Sequence, residues 1–336
     1  MLALIMTKDN HHVFSDGELS RSEDTLRIDT FDGEMKHLPV ESIDTLYLHG
    51  QIDFNTRALG LLNDHGVPAH VFGWKDYYKG SYLPKRSHIS GNTIVEQVRA
   101  YDDPDRRLMI AQSMIKASIH NMRANLVYYN ARDCSFDAEI DRLKSLKSEA
   151  STVDSVDTLR GTEATARKTY YSCFSDILRK PFSLDRREYN PPTNETNALI
   201  SFLNSMVYTA CVSAIRKTAL DPTVGFMHEP GERRFTLSLD IADIYKPILA
   251  DRVLFRLVNR QQISPDEFES DLDGCLLTED GRLTVLKEYE ETLDRTVEHP
   301  RLNRKVSYKT LIQTDVYSLK KHILTGEPYR PTERWW

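Results

Sequence analysis

The chain has 336 residues, 40% of them hydrophobic and 28% charged, and a net charge of −6. Such a length holds two domains with a sizeable core, and the composition is that of an ordinary soluble globular protein. The four cysteines, Cys134, Cys173, Cys211 and Cys275, form no CxxC pair, which argues against a zinc ribbon or a disulfide framework and fits a reducing cytoplasm.

The apolar start, Met1 to Met6, lacks the basic flank and the small-residue cleavage site of a signal peptide. Residues 1–84 then read as β-rich, and they are the acidic part, with 13 Asp/Glu against 7 Lys/Arg. Thr25 to Asp29 alternates polar and apolar residues, and Leu46-Tyr47-Leu48 and Ala69 to Phe72 are runs of β-formers. Asp16-Gly17 and Asp32-Gly33 are hairpin-type turn signals between such runs. One helix interrupts them: Asn55 or Thr56 can cap it, Leu59, Leu61 and Leu62 can bury, and Gly66 can end it.

Residues 85–92 are polar, contain Gly91 and read as a linker. From 93 to 336, long stretches show helical spacing and strand signals nearly vanish. Ile110, Met114, Ala117 and Ile119 mark one helix, Leu143 and Leu146 a second, and Ala198, Phe202, Met206 and Val207 a third. Pro191-Pro192 breaks the pattern, and Asn194 or Thr196 can restart it. Ala198 to Ile215 is largely apolar but carries Ser201, Asn204, Ser205, Thr209 and Ser213, so it reads as a buried core helix and not a membrane span, with Asn197 and Asn204 as partnered core amides. The expected fold is therefore α+β: a small β-sandwich-like domain followed by a larger helical domain.

Two segments of the helical part are locally basic. Residues 160–190 hold seven basic and four acidic residues, and residues 295–336 hold nine and four. Such runs are solvated helix faces or phosphate-contacting surfaces. Arg186-Arg187 is the sharpest pair, while Trp335-Trp336 can stack, dock or remain a disordered tail.

Three segments offer chemistry. Gly225-Phe226-Met227-His228 precedes Ser238-Leu239-Asp240-Ile241-Ala242-Asp243, where two carboxylates three apart share a helix face. Ile241, Ile244, Tyr245, Ile248 and Leu249 form that helix's apolar stripe, with Asp240 and Asp243 off it and close to the helix start, where the dipole favours carboxylates. Upstream, Glu163 sits among Ala164, Thr165 and Ala166, with Arg167 and Tyr170 nearby. Glu163 either pairs with Arg167 at i, i+4 or ligates a cation. One Glu, one His and one Asp from separate segments suit Mg²⁺ or Mn²⁺. The pattern alone leaves open a DNA nuclease, a metallohydrolase of a small phosphorylated substrate and a non-catalytic DNA-binding scaffold.

The order of segments resembles one family. RGTEATARKTYY (160–171), PPTNETNALISFLNSMVY (191–208), LDPTVGFMH (220–228), SLDIADIYKPILADRV (238–253) and YKTLIQTDVYSLKKHI (308–323) are similar to the CRISPR-associated integrase of the spacer-acquisition module, as are SDGELSR and LPVESIDTLYLHG in the first part. The resemblance spans essentially the whole chain. It implies metal ligands Glu163, His228 and Asp243, with Asp240 as a possible additional ligand, and DNA contacts from Arg167, Tyr170, Arg186, Arg187 and Lys246. Where many relatives read Glu-x-x-Arg-Pro, this chain reads Asp243-Ile244-Tyr245-Lys246-Pro247, which keeps the charges but shortens the carboxylate and loses the guanidinium fork. The resemblance further implies homodimer contacts through residues 1–84, a catalytic role for 93–336, a small second protein of the adaptation module as partner, and DNA as substrate. The implied reaction is attack of a 3′-hydroxyl on a phosphodiester at a repeat boundary, with hydrolysis as the same chemistry run with water.

Overall fold

The computed structural model describes residues 9–73, 78–85, 90–132, 134–188, 191–232, 234–271 and 274–336. The Met1 to Met6 segment and residues 86–89 of the expected linker lie outside the described residues. The chain separates into two compact units, Met1–Ile89 and Ser90–Trp336.

The first unit holds two four-stranded sheets. Its strands are β1 (Asp9–Val13), β2 (Gly17–Ser22), β3 (Thr25–Thr30), β4 (Met35–Pro39), β5 (Ile43–Leu48), β6 (Ile52–Phe54), β7 (Ala69–Phe72) and β8 (Tyr78–Tyr82), with helix α1 (Thr56–His65) between β6 and β7. One sheet runs β1-β5-β7-β8 and the other β4-β3-β2-β6. Alternation puts Leu26 and Ile28 of β3 inside, with Leu46 and Leu48 of β5 and Leu61 and Leu62 of α1 in the same core. Asn55 caps α1 by accepting from the Arg57 and Ala58 N–H groups, and Gly66 ends it in the left-handed region at φ 68°.

The Asp32-Gly33 turn joins β3 to β4, with Gly33 at φ 94°. Asp16-Gly17 does not close a hairpin: Gly17 opens β2, which pairs with β3 and β6, whereas β1 belongs to the other sheet. A Cβ on Gly17 would come within 2.3 Å of the Asp29 carbonyl oxygen, so this glycine serves close strand approach.

The second unit is helical. It contains α2 (Gly91–Asp102), α3 (Pro104–Asn130), α4 (Asp137–Glu149), α5 (Val156–Tyr171), α6 (Phe174–Ile177), α7 (Glu195–Arg216), α8 (Thr236–Tyr245), α9 (Ala250–Asn259), α10 (Glu279–Asp294) and α11 (Tyr308–Thr325). It also carries two short antiparallel ladders, β9 (Phe268–Asp271) with β10 (Gly274–Leu277), and β11 (Thr296–His299) with β12 (Arg304–Ser307). Strands of four residues leave too little alternation to read from sequence. Asn194 caps α7 by accepting from the Asn197 N–H. By length and composition α7 could cross a membrane, but its most apolar 18-residue window is 72% buried, so it is the core helix expected, packed on α8, α9 and α11. On it, Asn197 is fully engaged with Arg187, Glu188 and Arg186, whereas the Asn204 amide oxygen is buried without a hydrogen-bond partner among the described residues.

The C-terminal segment is docked. Trp336 Nε1 donates to the Tyr308 hydroxyl at 2.6 Å and Trp335 Nε1 to the Glu298 carbonyl at 3.0 Å. Thr332 donates twice to buried Asp315, which also accepts from the Tyr245 hydroxyl at 2.7 Å. The tail is thus tethered by polar groups that composition does not reveal.

Candidate functional site

Helix α8 is buried nearly throughout, so its position is set by packing on α3 and α7 and not by an amphipathic stripe. Asp240 and Asp243 lie in its middle and last turn, beyond the reach of the helix start, and both are buried, at 2% and 5% exposure. The dipole therefore does not explain them. Side chains do.

Asp240 organises the loop that carries His228. Its Oδ2 accepts from the Phe226 and Met227 N–H groups at 2.6 and 3.1 Å, and its Oδ1 from the His228 N–H at 3.0 Å and Nδ1 at 2.7 Å. Both oxygens are thereby spent on positioning. The contact fixes the imidazole with Nδ1 protonated and Nε2 as the free lone pair. Gly225 is required here, because a Cβ would lie 2.9 Å from Asp240 Oδ2 and 2.8 Å from the Thr236 carbonyl carbon.

A second clamp holds the same loop from outside. Glu229 accepts from the Tyr101 hydroxyl of α2, Arg107 Nη2 of α3 and Arg160 Nη2 of α5, each at 2.7 Å. Arg107 and Arg160 also donate to the Phe226 and Met227 carbonyls. These donors pull the Glu229 carboxyl down to about 2. Sequence reading missed this clamp, since its arginines are 122 and 69 residues from Glu229 and no local pattern links them.

The third component is Glu163 on α5. Arg167, one turn on, donates from Nε to Glu163 Oε1, and its Nη2 forms an ion pair with Asp243 Oδ1 at 2.8 Å. Lys246 Nζ reaches the same Asp243 oxygen at 2.6 Å. One guanidinium therefore joins two of the three expected ligands. Asp243 is held well below the usual carboxylate range: burial raises it, but Arg167 and Lys246 outweigh burial. For His228, burial lowers the imidazole, yet the Asp240 hydrogen bond and the Asp243 charge leave it raised above its ordinary value. Arg167 too is raised, with Asp243 and Glu163 outweighing its desolvation.

The end of α8 is fixed by a polar stripe on α3. Ser118 Oγ donates to the Asp243 carbonyl at 2.8 Å, Asn121 Nδ2 to the Ile244 carbonyl at 2.9 Å, and Asn125 Nδ2 to the Pro247 carbonyl at 2.8 Å. These satisfy carbonyls that a helix end otherwise leaves without partners.

Tyr170 departs from the expectation. It is 1% exposed, accepts from Asn125 at 2.8 Å and bonds Asp251, so a DNA contact from its ring is closed off by burial. Asp251 itself, buried behind it, is pushed up to about 7 by burial. Arg187 is tied to Asn197 and Ser201, which leaves Arg186, with its side chain 82% exposed beside Glu188, as the freer of the pair.

Among the described residues no three His, Cys, Asp or Glu side chains stand at metal-holding spacing, and Arg167 is paired with both Glu163 and Asp243. The donor set still suits a hard divalent ion: two carboxylates and an imidazole with Nε2 free. Arg167 Nη2, buried and with no hydrogen-bond acceptor despite its ion pair, is a donor suited to an anionic oxygen.

Residues 11–291 match the family model for CRISPR associated protein Cas1. The CRISPR-associated endonuclease Cas1 of Haloferax volcanii is 73% identical over 331 residues, covering 98% of this chain and 100% of that protein. A CAS1 protein from Thermotoga maritima superposes with a TM-score of 0.86 at 33% identity, covering 97% of this chain and 100% of that one. A casposase bound to integration product shares the fold, with a TM-score of 0.84 at 19% identity over 98% of this chain and 94% of the other. With the strand-rich first unit, the helical second unit and the Glu163–Arg167–Asp243 cluster beside His228, these matches place the chain in the CRISPR-associated Cas1 family.

Proposed function

We propose that this chain is a metal-dependent DNA endonuclease and integrase that inserts short DNA fragments into a CRISPR array. The observation that carries the reading is that one guanidinium joins Glu163 to Asp243 while Asp240, one helical turn from Asp243, orients His228, in a chain of the Cas1 family. Glu163, His228 Nε2 and Asp243 would hold Mg²⁺ or Mn²⁺, which would supply Lewis-acid polarisation of a phosphoryl oxygen. Asp240 keeps His228 in one tautomer and one orientation. Once the carboxylates serve a metal, Arg167 and Lys246 are cations free to meet the phosphate oxygens, where positive charge stabilises the transition state of phosphoryl transfer. The 3′-hydroxyl oxygen of the fragment forms the new P–O bond as the repeat strand's oxygen leaves.

The same reading assigns homodimer contacts to the acidic first unit, DNA backbone contacts to Arg186 and the basic segments, a small second adaptation protein as partner, and the cytoplasm as the place of action. The test is nicking and joining of branched DNA with Mn²⁺, before and after chelation, in wild type and His228→Ala. Loss of both activities in the variant with an unchanged unfolding temperature supports the assignment. Undiminished activity after chelation defeats it.

A further inference from the structure

A cavity of about 210 Å³ lies in the helical unit, walled by α3, α9 and the C-terminal segment. Five arginines line it: Arg132, Arg252, Arg256, Arg260 and Arg334. Arg256 is neutralised by Glu288. Among the described residues, the other four make no ion pair with a side-chain carboxylate: Arg252 donates to the Tyr308 hydroxyl at 3.3 Å, and Arg334 donates to Asn125 Oδ1 at 2.6 Å and to the Trp336 main-chain oxygen at 3.0 Å. Arg252 and Arg256 on α9 and Arg260 at its C-cap recur at i, i+4, i+8, where like charges on one face repel.

Complementing the α9 dipole would explain Arg256 and Arg260, which sit at its C-terminal end. It does not explain Arg252, in the first turn, where the helix end is positive. Nor does it explain Arg132 and Arg334, which come from other parts of the chain. Guanidinium groups converging without carboxylates call for an anion of forked geometry. The aromatic lining narrows the class. Tyr128, Tyr129 and Phe255 line the same cavity, Tyr128 is 44% exposed, and Arg132 lies 3.5 Å over its ring centroid. Rings beside arginines take a nucleobase by stacking while the guanidiniums take its phosphate. The volume falls below the ~300–1,000 Å³ of ordinary small-molecule clefts, so it admits one nucleotide's phosphate and sugar and not a larger cofactor.

We infer that this arginine cavity is a nucleotide-phosphate site separate from the Glu163–His228–Asp243 cluster. It rests on the proposed DNA substrate only for the question of whether the phosphate belongs to a strand or to a free nucleotide. Asn125 connects the two regions, since it contacts Arg334 in the cavity wall and Tyr170 beside Asp251.

The test uses the full chain and thymidine 3′,5′-bisphosphate as probe, with binding read by titration calorimetry. Wild type should bind it, and Arg252→Gln with Arg260→Gln should weaken binding about tenfold or more, the loss expected for charge-assisted hydrogen bonds. Arg260→Gln alone, at an exposed position past the helix end, gives the same direction without endangering the fold. Tyr128→Leu should weaken the bisphosphate more than inorganic phosphate. His228→Ala should bind the probe as wild type does, which separates this site from the catalytic reading. Displacement of the probe by oligothymidylate marks the occupant as a strand, and failure to displace marks it as a free nucleotide. No uptake of the bisphosphate by folded wild type, or wild-type affinity in the double variant, overturns the inference.

Discussion

Asp240→Asn is nearly isosteric and isolates what the carboxylate does. Asp240 Oδ2 serves two backbone N–H groups, and Oδ1 serves a third together with the His228 ring. An amide has one acceptor oxygen. Turned with its NH2 toward Phe226 and Met227, the amide loses two hydrogen bonds and leaves two buried donors without partners; turned the other way, it faces the His228 N–H and ring instead. At ~1.5–3 kcal/mol for each bond to a charged group, the cost is ~3–6 kcal/mol. With ~2–4 °C per kcal/mol for a unit of this size, the unfolding temperature should fall by about 6–24 °C. Below that temperature, Mn²⁺ affinity and DNA joining should fall by about 10–100-fold, because a freed His228 no longer presents Nε2. Gly225→Ala, which would press a methyl against the same carboxylate oxygen, should move both readouts in the same direction. Calorimetry and manganese titration together decide it: an Asn variant with wild-type unfolding temperature and wild-type metal affinity refutes the argument.

Arg167→Gln removes the cation that competes for Glu163 and Asp243. Mn²⁺ affinity measured by calorimetry should rise several-fold while DNA joining falls, and a fall in metal affinity would contradict the charge-exchange reading. Asp315 is buried and its carboxyl is pushed up to about 6 by burial, against an ordinary value of 3.8. The folded state therefore holds a proton that the unfolded state releases between these values, and stability from this group is present below about pH 4 and lost as pH rises through about 6. The difference in unfolding free energy between wild type and Asp315→Asn should widen on acidification from pH 7 to pH 4, by up to about 3 kcal/mol. A difference that narrows would reverse the assignment.

Legibility in the sequence followed the range of the forces involved. Local forces were readable: Asn55 and Asn194 cap their helices, Gly66 ends α1, and the alternation of Thr25 to Asp29 appears as β3. The buried spacing of Ile110, Met114, Ala117 and Ile119 is that of α3. Non-local polar pairing was not readable. Nothing near Ser118, Asn121 and Asn125 says that they hold the end of α8, and nothing near Glu229 names Arg107 or Arg160. Asp240 and Asp243 were singled out together, but their roles diverge, one holding a loop and the other facing two cations, because the partners come from different segments. Tyr170 was placed by sequence beside Glu163 and Arg167, yet one further helical step turns it into the core.

The docked tail couples to the site through α3, and this has a consequence. Asn121 donates both to the Ile244 carbonyl at the end of α8 and to the Thr332 carbonyl at 3.0 Å, while its Oδ1 accepts the Arg334 N–H at 2.8 Å. One side chain thus holds the site helix and the tail at once. Deleting residues 332–336 removes both Thr332 donors from Asp315 and the Arg334 donor from Asn121, leaving buried acceptors short of partners. At ~1–3 kcal/mol for each such loss, the truncated chain should be at least ~3 kcal/mol less stable. Because Asn121 then keeps only its bond to Ile244, the α8 end that presents Asp243 should exchange its amide hydrogens faster than in wild type. Unchanged exchange across residues 242–246, or an unfolding temperature equal to that of the full chain, would show that the tail merely covers the helices and does not brace them.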